Sequence, residues 1–470
     1  MLSERDAPII AVATPPGKGA VGIVRISGKN LQAFANALCR QILEPRRAYL
    51  TDIHDDKGQT LDQILALFFP APHSYTGEDV LELQGHGGPV VLSMLVERCL
   101  EFAYKQDIGL AGLRLAQPGE FTQRAYLNQK MDLAQAEAVS DVIDAQTQAA
   151  VRGAGRSLVG AFSKQVEKLQ EQLLRLRMLV EASLDFPEED IDFVTQANVA
   201  EQLLAMQEET FLLCAKTRQG ALLRDGMKMV IAGQPNAGKS SLLNALTGQD
   251  TAIVTAVAGT TRDVLTQTIS MEGVPVHVVD TAGLRETKSV DEVEKIGIER
   301  AWAQVADADV VVLLHDLSRA NDTEYEARQA ALIKQIMLQK SSHTPVLNVF
   351  NKKDLVTADC ELLKQQTAIC ISAKTGQGLQ ELRASLLQSV GWQAEHQEGV
   401  FSARQRHVQV LAQVQIHTAQ ALGLLQASSP ALDLLAEELR CAQQQLSCLT
   451  GDMSADDLLG EIFSRFCIGK

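Results

Sequence analysis

The stretch Met227–Ser241, MKMVIAGQPNAGKSS, constrains the fold of this chain more than any other. A short apolar run (Val230, Ile231) breaks at Gly233 into a loop ending in Lys239-Ser240, so the pattern Gly-x-x-x-x-Gly-Lys-Ser spans Gly233 to Ser240. Such a loop closes backbone N–H groups around phosphate oxygens, here those of Asn236, Ala237, Gly238, Lys239, Ser240 and Ser241. The Lys239 ammonium then reaches the terminal phosphates, and the Ser240 hydroxyl suits a magnesium ion. Leu242, Leu243, Ala245 and Leu246 follow as a short amphipathic helix up to Gly248, whose positive N-terminal end adds to the anion site. The implied local fold is strand, loop and helix, and the implied ligand is a nucleoside polyphosphate.

Three later stretches separate guanine from adenine. Val274–Gly283 (VPVHVVDTAG) reads as an apolar strand ending in Asp280, placed to hold magnesium through water. Thr281 and Ala282 follow, and the Gly283 N–H is available to a γ-phosphate. Asn351-Lys352-Lys353-Asp354 closes another apolar strand (Val346, Leu347, Val349). The Asp354 carboxylate can accept two hydrogen bonds from the imino and amino groups of guanine, a donor pair that adenine lacks. Ser372-Ala373-Lys374 ends a third strand and resembles the guanine-supporting loop of GTPases. Order and spacing together predict GTP.

The rest of the chain must house this unit. Its 470 residues suggest roughly three domains, and 46% hydrophobic residues suffice for their cores. No apolar run approaches the ~18 residues of a membrane span, and no basic-then-apolar leader opens the chain, so a cytoplasmic protein without membrane contact is expected. The eight cysteines form no Cys-x-x-Cys pair or Cys/His cluster, which predicts reduced thiols rather than zinc. A net charge of −15 excludes a diffuse nucleic-acid-binding field, so any RNA contact must be a local basic site.

Residues 1–120 mix short β-like runs (Ile9–Ala13, Val21–Ile26, Ile64–Phe69, Val80–Leu83) with turn clusters, which predicts a compact α+β domain. Residues 121–222 turn to helical composition, with Val159, Phe162, Val166, Leu169, Leu173, Leu176 and Val180 spaced by three and four as a bundle seam. A second helix is expected from Gln196 to Thr217. Residues 223–390 alternate strand and helix as an inserted Ras-like P-loop domain, with a mainly parallel sheet covered on both faces. Residues 391–470 return to helix, with Leu432, Leu435, Leu439, Ala442 and Leu446 as a second seam. The fold class is therefore multidomain, α/β and α+β, with one all-α bundle split by a GTPase domain whose ends lie close together. In the tail, Ser454-Ala455-Asp456-Asp457 precedes a helix carrying Leu459, Ile462, Phe463 and Phe466 on one face, a face that predicts docking and would fix Cys467 in place. Cys467 is the fourth residue from the end, but Gly469 makes a poor prenylation signal.

The motifs TPPGKGAVGIVRISG, TGEDVLELQGHGGP, PGEFTQRAYLNQKMDLAQAEA, DFPEEDIDF, GQPNAGKSSLLNAL, GTTRD, DTAGLRE, DEVEKIGIERA and FCIGK closely resemble those of the MnmE (TrmE) tRNA-modification GTPases over essentially the full length. The resemblance implies an N-terminal domain that binds a tetrahydrofolate derivative (5-formyl- or methylene-) and joins two chains as a homodimer. It further implies an FAD-dependent partner, MnmG, in a heterotetramer that adds a carboxymethylaminomethyl-type group to carbon 5 of the tRNA wobble uridine. Arg25, Glu82, Lys130 and Lys470 fall on folate-contacting positions, and Cys467 on a cysteine of the modification step. Leu284 stands where Ras-like enzymes carry a water-positioning Gln. The resemblance gives that role to Glu294 and the missing charge to potassium, held by Asn236 and the stretch carrying Thr255, Val257 and Thr260. By the same resemblance, Ala256, Ala258 and Gly259 complete that nucleotide-binding stretch, and Thr261 falls on the position of a second magnesium ligand. The alternatives are a ribosome-assembly GTPase switch on rRNA, a folate-dependent transferase with an attached GTPase, and an N-terminal module that only joins two chains.

Overall fold

The computed structural model describes residues 6–105, 110, 112–185, 198–249, 266–280, 301–320, 322–356, 368–393, 399–427, 431–451, 456–464 and 466–469. The chain forms two compact units, Met1–Ser140 with Gln444–Lys470, and Asp141–Gln443.

The first unit is built on a six-stranded sheet, order β3-β4-β5-β2-β1-β6, from β1 (Ile9–Val12), β2 (Gly19–Gly28), β3 (Tyr49–His54), β4 (Thr60–Phe69), β5 (Asp79–Gly87) and β6 (Arg114–Leu115). All neighbours are antiparallel except β1 and β6. The expected runs become β1, β2, β4 and β5. β3 and β6 were not anticipated, because β3 (YLTDIH) is a half-exposed edge strand without an apolar run and β6 has two residues. Residues alternate across a sheet. Val24, Ile26, Ile64, Phe68, Leu81 and Leu83 share one core with Phe34, Leu95 and Phe102 of the helices Gln32–Leu38 and Pro89–Lys105. Ile9 and Ala11 pack with Ala116 and Phe121 in a smaller cluster.

The tail joins this unit. Leu459, Ile462, Phe463 and Phe466 are buried with Leu133 and Ala136, Phe463 packs beside the Tyr126 ring, and the Tyr126 hydroxyl donates to Gly451 O at 2.6 Å. Docking of the aromatic face is thus observed. By contacts, Gln444–Lys470, which includes the end of the Leu432–Thr450 helix, groups with this unit.

The second unit holds the bundle and a second six-stranded sheet, order β12-β11-β10-β7-β9-β8. Its strands are β7 (Met227–Gly233), β8 (Thr266–Met271), β9 (Val274–Asp280), β10 (Val310–Asp316), β11 (Val346–Asn351) and β12 (Ile369–Cys370), parallel except for β8 against β9. Both faces are buried, as near-continuous apolar strands require. Met229, Ile231, Val310, Val312 and Leu314 face Leu242, Leu246, Leu382 and Leu386, whereas Val230, Ala232, Val311 and Leu313 face Val305, Ala308 and Ile336.

In the bundle, Phe162, Val166, Leu169, Leu173, Leu176 and Val180 line the buried stripe of the helix Ala161–Asp185. Val159 does not join them. It ends the preceding helix and is 71% exposed, because Gly160 turns the chain (φ 82°) before the seam begins. The second helix, Val199–Asp225, runs to within two residues of β7 and packs along Gln405–Leu425. The two ends of the α/β insertion are tied by one side chain, since Gln219 donates to Gly391 O (2.6 Å) and accepts from Gln393 N (3.1 Å).

Candidate nucleotide-binding site

The parallel strands β7, β10 and β11 deliver their C-terminal ends to one edge, where ligands bind in doubly wound sheets. β7 runs into the phosphate loop, and the helix Lys239–Gln249 starts at its far end. Asn236 at the loop apex is exposed with φ 63°, a left-handed conformation that Asn tolerates. Gly238 has φ 99°, and a Cβ there would collide with the Asn351 side chain, so glycine is required on steric and conformational grounds alike. Lys239 Nζ donates to Gly233 O (2.8 Å) and Gln234 O (3.1 Å), which folds its ammonium over the loop. Ala237 is buried, while Ser240 and Ser241 are exposed at the first turn of the helix.

Asn351, at the end of β11, is 3% exposed and joins two loops: Nδ2 donates to Ala237 O at 2.9 Å and Oδ1 accepts from Ala373 N at 3.0 Å. Buried amides of this kind are costly to leave unpaired. Ser372, fully buried, donates its hydroxyl to Asp354 Oδ1 at 2.6 Å, and this bond holds the Asp354 carboxyl below the usual carboxylate range. Asp354 is therefore an exposed, ionised acceptor, fixed in orientation at the mouth of the site. Lys352 takes φ 68° and pairs with the buried Asp316 at 2.5 Å. The structure thus brings together Asn236, Ala237, Gly238, Lys239, Ser240, Ser241, Asn351, Lys352, Asp354, Ser372, Ala373 and Lys374. Asp280 ends β9 beside Ile231 of β7. Thr255, Ala256, Val257, Ala258, Gly259, Thr260, Thr261, Thr281, Ala282, Gly283, Leu284 and Glu294 lie outside the described residues. For magnesium and potassium, the fit therefore extends to the exposed Ser240 and Asn236.

In the first unit, Arg25 on β2 and Glu82 on β5 are cross-strand partners. Both Nε and a terminal guanidinium nitrogen reach Oε1 at 2.9 Å, and the guanidinium lies 5.3 Å from the Tyr75 ring centroid and 5.8 Å from that of Phe121. Oε2 of Glu82 has no partner among the described residues, so a carboxylate oxygen remains for an amino-imino edge such as a pterin's. Gly469 (φ 95°) sits so close to Val12 that a Cβ would strike its carbonyl oxygen, which brings the chain end to β1, where Ala11 pairs with Arg25. Lys470 itself lies outside the described residues, and Lys130 is exposed, with its stem beside Gly77. These features suit an anionic ligand with a flat polar edge. Cys467 is exposed, and its carbonyl accepts from Gly119 N at 3.4 Å. All seven described cysteines are free thiols.

One residue, Asp316, and one network also shape these two sites without being among the site residues the sequence predicts. Asp316 gave a signal, being a carboxylate closing an apolar strand as Asp280 does. The network is buried: Arg124 reaches Glu78 (3.0 Å), Glu120 (3.0 Å) and Ala7 O (2.6 Å), while Arg114 clasps Glu120 (2.7 Å). It assigns much of the charge in TGEDVLEL and PGEFTQRAY to packing.

The fold and its edge define a phosphate-loop nucleotide-binding protein of the guanine-selective class, set within a helical scaffold. Family models match as "GTP-binding protein TrmE N-terminus" over residues 8–130 and "MnmE helical domain" over residues 133–467. Proteins named tRNA modification GTPase MnmE are similar over the whole of both chains: 58% identical in Polaromonas sp. (strain JS666), 55% in Paracidovorax citrulli and 53% in Burkholderia ambifaria. The chain belongs to the MnmE family of tRNA modification GTPases. Among solved structures, the G domain of the T. maritima FeoB iron transporter is 27% identical, covering 35% of this chain and 98% of that one at a TM-score of 0.26. Aquifex aeolicus Era is 25% identical, covering 43% and 69% at a TM-score of 0.28. No helix among the described residues is long and apolar enough to cross a membrane.

Proposed function

We propose that this chain binds and hydrolyses GTP, and that turnover drives a step in modification of the tRNA wobble uridine at carbon 5. The observation that carries the nucleotide reading is the Asn351 bridge, which ties the phosphate loop to Ala373 while Ser372 orients Asp354 for a guanine edge. Ser240 and Thr261 would hold magnesium, which supplies charge to the β- and γ-phosphates. Asn236, with Thr255, Val257 and Thr260, would hold potassium, which supplies the positive charge otherwise given by an arginine finger. Lys239 leaves its carbonyl partners for the terminal phosphates, and Glu294 orients the attacking water through a second water, the role Leu284 cannot perform.

In the N-terminal unit, Glu82, braced by Arg25, receives the amino-imino edge of a tetrahydrofolate derivative, and Lys130 and Lys470 meet its carboxylates. The folate would supply the one-carbon unit, with Cys467 nearby for the modification step. The working assembly is a cytoplasmic homodimer joined through residues 1–120, acting on tRNA with an MnmG-type FAD protein in a heterotetramer. The test is turnover of GTP and ATP in potassium and in sodium. GTP-selective turnover, faster in potassium and reduced more than ~10²-fold by Glu294→Ala, is expected. Equal rates in both salts would remove the cation from the mechanism, and equal use of ATP would remove the guanine reading.

A further inference from the structure

Asp316 closes β10 at the same edge of the sheet, is 4% exposed, and lies outside the nucleotide motifs identified in the sequence. Its polar groups reach the base-recognition loop, the turn that follows β10, and Tyr325. Oδ2 holds the Lys352 ammonium at 2.5 Å, across 36 residues of sequence, and Oδ1 accepts from the N–H (3.0 Å) and hydroxyl (2.6 Å) of Ser318. Its backbone N–H donates to the Tyr325 hydroxyl at 2.8 Å, and the Tyr325 carbonyl accepts from Gln234 Nε2 at 2.6 Å. Gln234 follows Gly233 in the phosphate loop, is 8% exposed, and offers its own carbonyl to Lys239.

A continuous chain of contacts therefore runs from the base-recognition loop to the phosphate loop: Lys352, Asp316, Tyr325, Gln234 and Lys239. Its far end is Lys352, whose left-handed backbone is one that a lysine rarely adopts unaided. Drawing the ammonium back to a buried carboxylate on the neighbouring strand pins that peptide, and with it the direction in which Asp354, two residues on, presents its carboxylate. We propose that Asp316 is a positioning residue for guanine-nucleotide binding, holding Lys352 so that the base loop is pre-formed in register with the phosphate loop before the ligand arrives. Pre-organisation of this kind raises affinity by removing an ordering cost from the binding step.

The inference rests on the guanine-nucleotide reading of this site, and the experiment separates the two. Affinity and dissociation rate of a fluorescent GDP analogue are measured for the full-length protein and for Asp316→Asn, Lys352→Met, the double variant and Ser318→Ala. ADP competition on the parent protein tests the site reading by itself. Asp316→Asn should raise Kd about tenfold or more, mainly through faster release, and the double variant should be no weaker than Lys352→Met. Ser318→Ala, which removes only the turn contact, should stay within about twofold. Multiplying effects in the double variant, or an Asp316→Asn protein that melts lower yet binds GDP normally, would overturn the positioning role and leave Asp316 a structural residue. If Asp316→Asn does not fold, Lys352→Met alone decides: unchanged release refutes the brace.

Discussion

Replacing Asn351 by Ala tests the joint on which nucleotide binding depends. Asn351 is 3% exposed and its two amide atoms satisfy Ala237 O at 2.9 Å and Ala373 N at 3.0 Å. Truncation leaves a carbonyl and an N–H without partners, each costing about 1–3 kcal/mol when buried, or about 2–6 kcal/mol together. Water can reach the half-buried Ala373 more easily than the buried Ala237, which favours the lower half of that range. A loss of about 2 kcal/mol weakens binding about 30-fold. The assay is equilibrium titration of a fluorescent GDP analogue, with thermal unfolding of the unliganded protein in parallel to separate lost affinity from lost stability. Leu355→Ala, four residues along and 64% exposed, is the control and should bind normally. An Asn351→Ala protein that binds within threefold of the parent would refute the reasoning.

Phe463, 2% exposed between Tyr126 and Phe466, anchors the tail, so Phe463→Ala should cost about 3–5 kcal/mol locally and raise hydrogen exchange over residues 456–469 while GTP turnover persists. Burial pushes the Cys39 and Cys99 thiols up to about 12, so a maleimide applied to the native protein at pH 8 should label exposed Cys467 and spare both, as peptide mass spectrometry would show. Burial alone would raise the Glu120 carboxyl, but Arg114, the Gln117 N–H and Arg124 hold it below its ordinary value. Its contribution to stability is therefore full above the unfolded value of about 4.3 and is lost as pH falls through the folded value. Glu120→Gln should flatten the acid limb of the unfolding-temperature profile.

The phosphate loop, Asn351, Asp354 and Ser372 were legible because each lies where an apolar strand breaks into a polar loop, and the backbone there leaves few choices. The tail was legible for the same kind of reason, four apolar residues on one helical face. Asp316 was harder, since a single carboxylate after VVVLLH states nothing about the lysine 36 residues later that it holds. Glu78 and Arg124 look like ligand-binding charges in isolation, and only the sheet shows that they satisfy each other in the interior. Val159 fits the heptad spacing but sits before a left-handed glycine, which a periodicity count does not weigh. Where the tail docks depends on contacts with residues more than 300 positions earlier, such as Leu133 and Tyr126, and helical composition carries no trace of them.

The most direct test of the account is nucleoside analysis of tRNA from cells whose only copy of this protein carries Lys239→Ala, compared with the parent and a deletion strain. If GTP turnover drives the modification, the modified wobble uridine should be lost in the variant as in the deletion. Wobble uridine modified to the parental level, with the purified variant inactive towards GTP, would contradict it.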